Sequence, residues 1–251
     1  MQLALLTAVG VGGATVFGAL LGFVFKRIPH KYNDLILGFA AGVMLAAAAI
    51  GLIIPSIEYG GEHAVLVTVA GIIFGAMFLN LIDRIVPHLH NMVGVDTENH
   101  GPNTQQISKL MLFVIAIAIH NLPEGIAAGV SFGTGNISDA LTVAGGIALQ
   151  NIPEGMIIIA PMLAVGISKK RTFLIALSTG LIEVFGTLFG YFAVTISSFI
   201  LPFALAFAGG TMLYVISDEM IPETHSHGYE RGATYALIIG FSVMLLLDYY
   251  I

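Results

Sequence analysis

The sequence contains no cysteine and very few charged residues. Of its 251 residues only 10% are charged, nine of them Lys or Arg, whereas 57% are hydrophobic. Soluble domains carry roughly 25% charged residues, so this chain has too few to cover a surface that faces water. Without cysteine, disulfides and thiolate metal sites are excluded, and any metal ligand must be a His, carboxylate, amide or thioether group. The formal charge of -6 and the lack of a basic cluster argue against nucleic acid as a partner.

Apolar stretches long enough to cross a bilayer fill most of the chain. A hydrocarbon core of about 30 Å needs about 20 apolar residues per helix. We predict eight such segments, at approximately 3–25, 34–56, 64–86, 108–133, 139–165, 172–196, 203–223 and 232–250. The first lacks a charged leader and is better suited to a spanning helix than to a cleavable signal. The polar stretch at about 87–107 is predicted to be a loop within a single transmembrane domain, residues 1–251.

The basic residues predict the orientation of this eight-helix arrangement. All nine fall in odd-numbered loops or, in the case of Arg84 and Lys109, at the segment ends that flank one: Lys26, Arg27, Lys31, Arg84, Lys109, Lys169, Lys170, Arg171 and Arg231. The even-numbered loops contain Glu58, Glu62 and Asp139 and no base. Lys and Arg are retained on the cytoplasmic side. We therefore expect a multi-pass protein of the inner or plasma membrane, with both termini extracytoplasmic and the 87–107 loop in the cytoplasm.

Three carboxylates lie near the centres of predicted helices: Glu124, Glu154 and Glu183, in the fourth, fifth and sixth segments. A charge at a helix centre costs about 2.5–3.5 kcal/mol on insertion scales. No Lys or Arg is available inside the membrane to pair with them. Protons or bound cations must therefore neutralise these acids, and an anion carrier, which would place bases there, is disfavoured. Protonated, hydrogen-bonded packing residues are the alternative interpretation.

Two similar motifs surround the first two of these carboxylates. Residues 120–125 read His-Asn-Leu-Pro-Glu-Gly, and residues 150–155 read Gln-Asn-Ile-Pro-Glu-Gly. Positions i and i+4 share one helix face, so each motif presents a pair of ligand groups with an amide beside it. Each proline removes a backbone hydrogen bond and is expected to kink its helix. Two antiparallel copies at a similar depth are typical of inverted-repeat transporters, which bind substrate near the bilayer midplane.

At these residues the chain resembles the ZIP family of zinc and iron transporters, and within it the bacterial GufA-type branch. The resemblance covers essentially the whole chain. It implies eight helices, a two-metal site at mid-membrane and transport toward the cytoplasm. The residues implied for the first metal position are Met44, His120, Glu124, Gln150 and Glu154.

The resemblance also implies a second metal position and a transport pathway. Glu124 and Glu154 would bridge to the second position, whose other ligands are Asn121, Asn151 and Glu183. The pathway residues are Glu58 near the entrance and Asp218, Glu219, Glu223 and His225 near the cytoplasmic exit. Many ZIP proteins have His in place of this chain's Gln150 and an acid in place of its Asn151, and Gln is the weaker zinc ligand.

The sequence therefore predicts an all-α integral membrane protein with an inverted repeat and a central site on Pro-kinked helices four and five. We expect it to transport divalent metal ions, zinc foremost, with Cd²⁺, Fe²⁺, Mn²⁺, Co²⁺ and Ni²⁺ as alternatives and no organic cofactor. Its other expected partner is the lipid bilayer, and the sequence is compatible with a monomer or a homodimer. Rocking and elevator motions both stay open.

Other functions are less well supported. A proton-coupled organic cation carrier would explain the unpaired acids but not the mixture of His, amide and thioether groups. A metal exporter would use the same ligands in the opposite direction. An intramembrane metalloenzyme is disfavoured because the chain lacks His-Glu-x-x-His and has one His at a predicted helix centre. We therefore expect no enzyme activity.

Overall fold

The computed structural model describes residues 1–25, 28–85 and 104–251, except for the side chains of residues 83–85, 104–114 and 116. All the regular structure in these ranges is helical. The α-helices are α1 (Gln2–Val24), α2 (His30–Ala46), α3 (Ile54–Tyr59), α4 (Ala64–Ile85), α5 (Thr104–Val130), α6 (Ile137–Ala164), α7 (Lys169–Ile196), α8 (Leu201–Val215), α9 (Ile221–Thr224) and α10 (Glu230–Tyr250). Two π-helices, Ala47–Ile53 and Ile216–Met220, join α2 to α3 and α8 to α9. Short 3₁₀ helices occupy Gly61–His63, Ser131–Thr134 and Ser198–Ile200.

Seven helical stretches within the described ranges are long and apolar enough to cross a membrane. They are Gln2–Val24, His30–Tyr59, Gly61–Ile82, Ile137–Ala164, Lys169–Ile196, Ser198–Thr224 and Glu230–Tyr250. These stretches confirm the all-helical prediction for the part of the chain that the structure describes. The remaining predicted span coincides with α5, which is helical over 27 residues, and its place as an eighth span stays a prediction.

Helix ends differ from the predicted segments by a few residues. The helices α2, α5 and α7 begin at His30, Thr104 and Lys169, three or four residues earlier than predicted. Hydropathy marks the apolar part of a helix, whereas a first turn built from polar residues is still helical. At α7 the side chain of Ser168 accepts a hydrogen bond from the Arg171 N–H and so caps the helix. The predicted loop at about 87–107 lies outside the described residues, apart from its last four residues, which form the start of α5.

Both π-helices end directly before an Ile-Pro pair, which contains Pro55 in one case and Pro222 in the other. A proline has no N–H to donate to the carbonyl four residues earlier, so the regular ladder is interrupted in the preceding turn. Such π segments are common at functional sites. Neither π-helix was predicted from the sequence.

Glycines bring one set of helices, α1, α5, α6 and α7, into backbone contact; we call this set group A. A Cβ atom at Gly155 of α6 would lie 2.0 Å from the Thr15 carbonyl oxygen of α1. One at Gly125 of α5 would lie 2.4 Å from the Glu183 carbonyl oxygen of α7. Only glycine allows such close approach, and helices in membranes commonly associate through small residues.

The second set, group B, contains α2, α3, α4, α8, α9 and α10, together with the two π-helices that join α2 to α3 and α8 to α9. A Cβ at Gly42 of α2 would lie 1.9 Å from the Leu237 carbonyl oxygen of α10, and one at Gly210 of α8 would lie 2.3 Å from that of Ile72 on α4. Between the groups, the described glycines face side chains instead. Gly51 meets Val143 and Gly146 meets the Met244 thioether. Close backbone contacts therefore link all four helices of group A, and in group B they link α2 to α10 and α4 to α8. The two pairs of group B meet through side chains, as where Gly209 faces Ile53, and so do the two groups.

The glycine contacts repeat along the chain. In group A, Gly18 of α1 approaches the Ile152 carbonyl of α6, and Gly186 of α7 approaches the Leu122 carbonyl of α5. Gly18 and Gly186 are 168 residues apart, and so are Gly42 and Gly210 in group B. The helices α1 and α2 thus make the same kinds of contact as α7 and α8. This pattern is what a two-fold internal repeat requires.

Candidate metal site

The three predicted carboxylates meet in group A. Glu124 of α5 and Glu183 of α7 are buried, with 1% and 0% of their surface exposed, and Glu154 of α6 is half-buried. Glu154 and Glu183 both lie close enough to Glu124 to interact with it electrostatically. Residues separated by about 30 positions along the chain therefore share one interior region. Their described partners are hydroxyl, amide and imidazole groups.

Glu183 accepts the most hydrogen bonds of the three carboxylates in the described part of the chain. Its Oε1 accepts hydrogen bonds from the Thr15 hydroxyl and the Asn121 amide, each at 2.5 Å. Its Oε2 accepts one from the Asn151 amide at 2.5 Å. These donors come from α1, α5 and α6, so one carboxylate connects all four helices of group A. Thr15 was not predicted from the sequence. It lies three residues after Gly12 and three before Gly18, and this spacing could have indicated that it faces a neighbouring helix.

Several oxygens beside this network are buried acceptors without a donor. Neither carboxylate oxygen of Glu124 has a hydrogen-bond partner, and the same is true of Gln150 Oε1 and Asn121 Oδ1. The Gln150 amide lies near Glu124, and it donates a hydrogen bond to Asn151 Oδ1 at 3.5 Å. An unsatisfied buried acceptor costs about 1–3 kcal/mol. A cluster of them therefore needs an explanation, and a cation would satisfy every member.

His120 connects this cluster to group B. Its Nε2 atom lies 2.9 Å from Oε1 of Glu219, which is part of the π-helix Ile216–Met220. Glu154 interacts electrostatically with both residues. A residue predicted for the metal site thus contacts a residue predicted for the exit pathway. The sequence placed the two residues in separate parts of the route and did not predict this contact.

The predicted ligands form a cluster but not a coordination shell. In the described part of the chain, no three or more His, Asp or Glu side chains are arranged so that they could hold a metal ion. The reason is visible in the contacts, because His120 points to Glu219 and Glu183 is held by amides. Metal binding at this site would require these contacts to rearrange, and the ligand assignments stay predictions.

The other predicted residues differ in their burial and their contacts. Met44 is 1% exposed and belongs to the main apolar cluster of the protein. Glu58 is exposed in the last turn of α3, and Asp218 is half-buried beside Glu219 in the π-helix. His225 contacts the Ile221 carbonyl at 2.8 Å and the Thr234 hydroxyl at 3.2 Å. Glu223, half-buried in α9, is the remaining predicted pathway residue.

Both motif prolines, Pro123 and Pro153, lie inside continuous helices, α5 and α6. The glycine after each motif glutamate has a clear role. Gly125 lets α5 approach α7 at Glu183, and Gly155 lets α6 approach α1 at Thr15. The glycine of each Pro-Glu-Gly motif thus lets its helix lie directly against one of the two helices joined by the Thr15–Glu183 hydrogen bond.

Comparison with known proteins gives a consistent result. A family model described as "ZIP Zinc transporter" matches residues 95–248. The chain is 41% identical to "Zinc transporter GufA" of Myxococcus xanthus, over 99% of this chain and 98% of that protein. It is 37% identical to "Zinc transporter ZIPB" of Bordetella bronchiseptica, over 94% of this chain and 77% of that protein. It is 33% identical to "Zinc transporter ZupT" of Chlorobaculum parvum, over 93% and 91% of the two chains.

Proposed function

The chain belongs to the ZIP family of zinc transporters, and we propose that it carries divalent metal ions, zinc foremost, toward the cytoplasm through the group A cluster. Membership of this family makes it a multi-pass membrane transporter of divalent metals rather than an enzyme. The observation that carries the choice of site is the set of buried acceptor oxygens without donors on Glu124, Gln150 and Asn121. Acceptors that lack donors are what an incoming cation would find complementary.

The first metal position would combine Glu124, Gln150, Glu154 and His120, with the Met44 thioether as a further ligand. Carboxylate and imidazole are good zinc ligands, whereas the Gln150 amide oxygen is a weaker one. The mixture of oxygen, nitrogen and sulfur suits borderline divalent ions such as Zn²⁺, Cd²⁺ and Fe²⁺. We propose zinc as the main substrate because the three relatives compared above are named zinc transporters.

The second metal position would use the network around Glu183. Asn121 already presents a buried oxygen without a donor. Rotation of the Asn151 amide would turn its oxygen from Gln150 toward the same point and release Glu183 Oε2. Glu124 and Glu154 would then bridge the two positions. A second ion would therefore bind only after the hydrogen bonds to Glu183 have exchanged for metal bonds.

We propose that the contact between His120 and Glu219 belongs to a closed state of the pathway. Two zinc ligands at about 2.0–2.1 Å in tetrahedral geometry are about 3.3 Å apart. The observed separation of 2.9 Å is close to that value. A metal ion leaving the central site could be shared briefly by these two side chains before reaching the half-buried Asp218. Glu219 would thus accept the ion from group A into group B.

Alternating access would follow from the way the two groups pack. Backbone contacts at glycine join the four helices of group A, whereas the described glycines at the boundary with group B meet side chains such as Val143 and Met244. Side-chain contacts can be exchanged more readily than interlocked backbones. We therefore favour an elevator-like motion of group A, which holds the carboxylates, along group B. The repeated glycine contacts support the inverted repeat on which such motions depend.

The proposed membrane orientation places both termini and Glu58 outside, and the π-helix with Glu219 toward the cytoplasm. It depends on the confinement of all nine bases to odd-numbered loops and the segment ends that flank them. Each carboxylate must lose its proton before it binds metal. Uptake should therefore fall as the external pH is lowered, whether or not protons are carried in the opposite direction.

Metal uptake into proteoliposomes tests this proposal. Glu124→Gln should lower zinc uptake by at least tenfold, because it removes the charge of a ligand shared by both metal positions. Glu62→Gln, in an exposed position of the outer loop, is the matched control and should transport like the unmodified protein. Near-normal uptake by Glu124→Gln would exclude the proposed site. Zinc efflux that is faster than uptake under mirrored gradients would favour an exporter instead.

A further inference from the structure

A second cluster of ligand-type side chains lies away from the carboxylates of group A, where α2 begins and α9 leads into α10. Asp34 of α2 is fully buried, and its Oδ1 lies 3.0 Å from Nδ1 of His227. The His227 side chain is only 15% exposed. The ring of His30 stacks on that of His227, with centroids 4.3 Å apart and planes inclined by 25°. The start of α2 and the segment between α9 and α10, which are far apart in the sequence, therefore meet at these side chains.

The carboxylate of Asp34 is only half satisfied. Its Oδ2 atom is buried and has no hydrogen-bond partner. Asp34 lies beyond the first turn of α2, so the helix dipole does not account for an acid here. Buried carboxylate oxygens are normally hydrogen-bonded, and one that is sealed from water without a donor needs an explanation. The oxygen is therefore available to a cation.

The internal repeat shows that packing does not require this pair. By the 168-residue offset between Gly42 and Gly210, Asp34 of α2 corresponds to Pro202 of α8. By the alignment of Pro55 with Pro222, His227 corresponds to Gly60. Pro202 and Gly60 have no polar side chain, yet α8 and α3 pack against each other as α2 and α9 do. The polar pair is therefore a specific feature of one end of the protein.

The geometry points to a divalent transition-metal site formed by Asp34 and His227. As the side chains stand, these two and His30 are not arranged as a three-ligand site, so His30 would become the third ligand only after its ring moves. The oxygen and nitrogen atoms are 3.0 Å apart, close to the separation of about 3.3 Å between two ligands of a tetrahedral zinc ion. Because the two rings are stacked, His30 must rotate before its nitrogen can reach the ion. A cavity of about 370 Å³ is lined by Lys31, Leu35 and Gly228–Gly232, which are neighbours in the chain of Asp34 and His227.

This site is independent of the central cluster, and only its role depends on the proposed function. In the proposed orientation it lies at the cytoplasmic exit, on group B, where it would receive ions after they pass Glu219. Occupancy there would tie the start of α2 to the segment before α10. Metal binding itself is expected whether or not the proposed direction of transport is correct.

The test is metal stoichiometry of the purified protein in detergent, with Zn²⁺ in equilibrium dialysis and Co²⁺ as a visible-absorption probe. The parent is a double variant, Glu124→Gln with Glu154→Gln, which weakens the central site. In this parent, His227→Gln should remove one bound equivalent and the Co²⁺ absorption that belongs to it. His30→Gln should weaken that equivalent several-fold. His63→Gln, exposed at the opposite end, is the control and should bind like the parent.

Unchanged stoichiometry and Co²⁺ spectrum in His227→Gln would overturn the inference. Asp34→Asn is a second variant that should lose the same bound equivalent. If it does not fold, the result for His227→Gln alone decides whether the site exists, because Gln can still donate a hydrogen bond to Asp34. Its melting temperature in chelator shows whether the fold is retained. If the double variant binds as much metal as the unmodified protein, the proposed central site is excluded. Loss of an equivalent in His227→Gln would still support the site at Asp34 and His227.

Discussion

Replacement of Glu124 by Met should stabilise the metal-free protein while abolishing transport. Both carboxylate oxygens are buried without hydrogen-bond partners, and two further carboxylates, Glu154 and Glu183, lie close enough to interact with it. Methionine has a similar length and flexibility and carries no group that requires a hydrogen bond. The substitution therefore removes an unsatisfied polar group without opening a cavity.

The size of the effect follows from the cost of leaving a buried acceptor unsatisfied, about 1–3 kcal/mol. For a protein of this size, 1 kcal/mol corresponds to a shift of roughly 2–4 °C in melting temperature. We therefore expect Glu124→Met to melt about 3–10 °C above the unmodified protein when both are in chelator. Leu122→Met, on the same helix, conserves volume and should change stability by less than about 1.5 kcal/mol.

Thermal unfolding in detergent, with chelator and then with zinc, provides the measurement. Zinc should raise the melting temperature of the unmodified protein, since a ligand that binds only the folded state stabilises it. It should raise that of Glu124→Met much less. If Glu124→Met melts at or below the unmodified protein in chelator while Leu122→Met is unaffected, the carboxylate is not an unsatisfied group and the argument for a cation site at Glu124 is refuted.

Three further outcomes test the packing, the ligands and the orientation. Gly155→Ala should destabilise the protein by about 1–3 kcal/mol, because its Cβ would lie 2.0 Å from a carbonyl oxygen of α1. Gly145→Ala, whose Cβ would have nothing within 4 Å, is the control and should not change stability. Equal melting temperatures of the two variants would contradict the packing. Gln150→His should tighten zinc binding, measured by competition with a chelating dye, since imidazole is the better ligand; unchanged affinity would place residue 150 outside the coordination shell. A cysteine replacing Glu62, which is exposed in the same loop as Gly60, should react with an impermeant thiol reagent in sealed cells, and one replacing Ser168 should not. Labelling at residue 168 would reverse the orientation.

Much of the candidate site could be predicted because its signals are local. Hydropathy over about 20 residues identifies a spanning helix, and i, i+4 spacing shows that His120 and Glu124 share a face. The lack of bases near Glu124, Glu154 and Glu183 is also a property of the sequence alone. The comparisons with known proteins confirm the family that these motifs indicate. The assignment of individual ligands goes beyond what the comparisons test and stays a prediction.

The contacts between distant parts of the chain were decided by the tertiary structure. Thr15 and Glu183 are 168 residues apart, and Asp34 and His227 are 193 apart. The hydrophobic pattern of a membrane helix shows which residues are apolar, but nearly every face is apolar, so the pattern does not show which face meets which helix. That choice is made by glycine-mediated backbone contacts and by the few polar side chains that must find partners inside the membrane.

The sequence by itself therefore determined the class and the approximate helices and predicted the candidate ligands, because these depend on composition and on spacing within one helix. The tertiary structure decided that Glu183 joins four helices, that His120 contacts Glu219 of the other group and that Asp34 has only one of its two oxygens paired. Each of these depends on the relative position of helices far apart in the chain. Such positions result from close packing over many contacts at once, which no local pattern encodes.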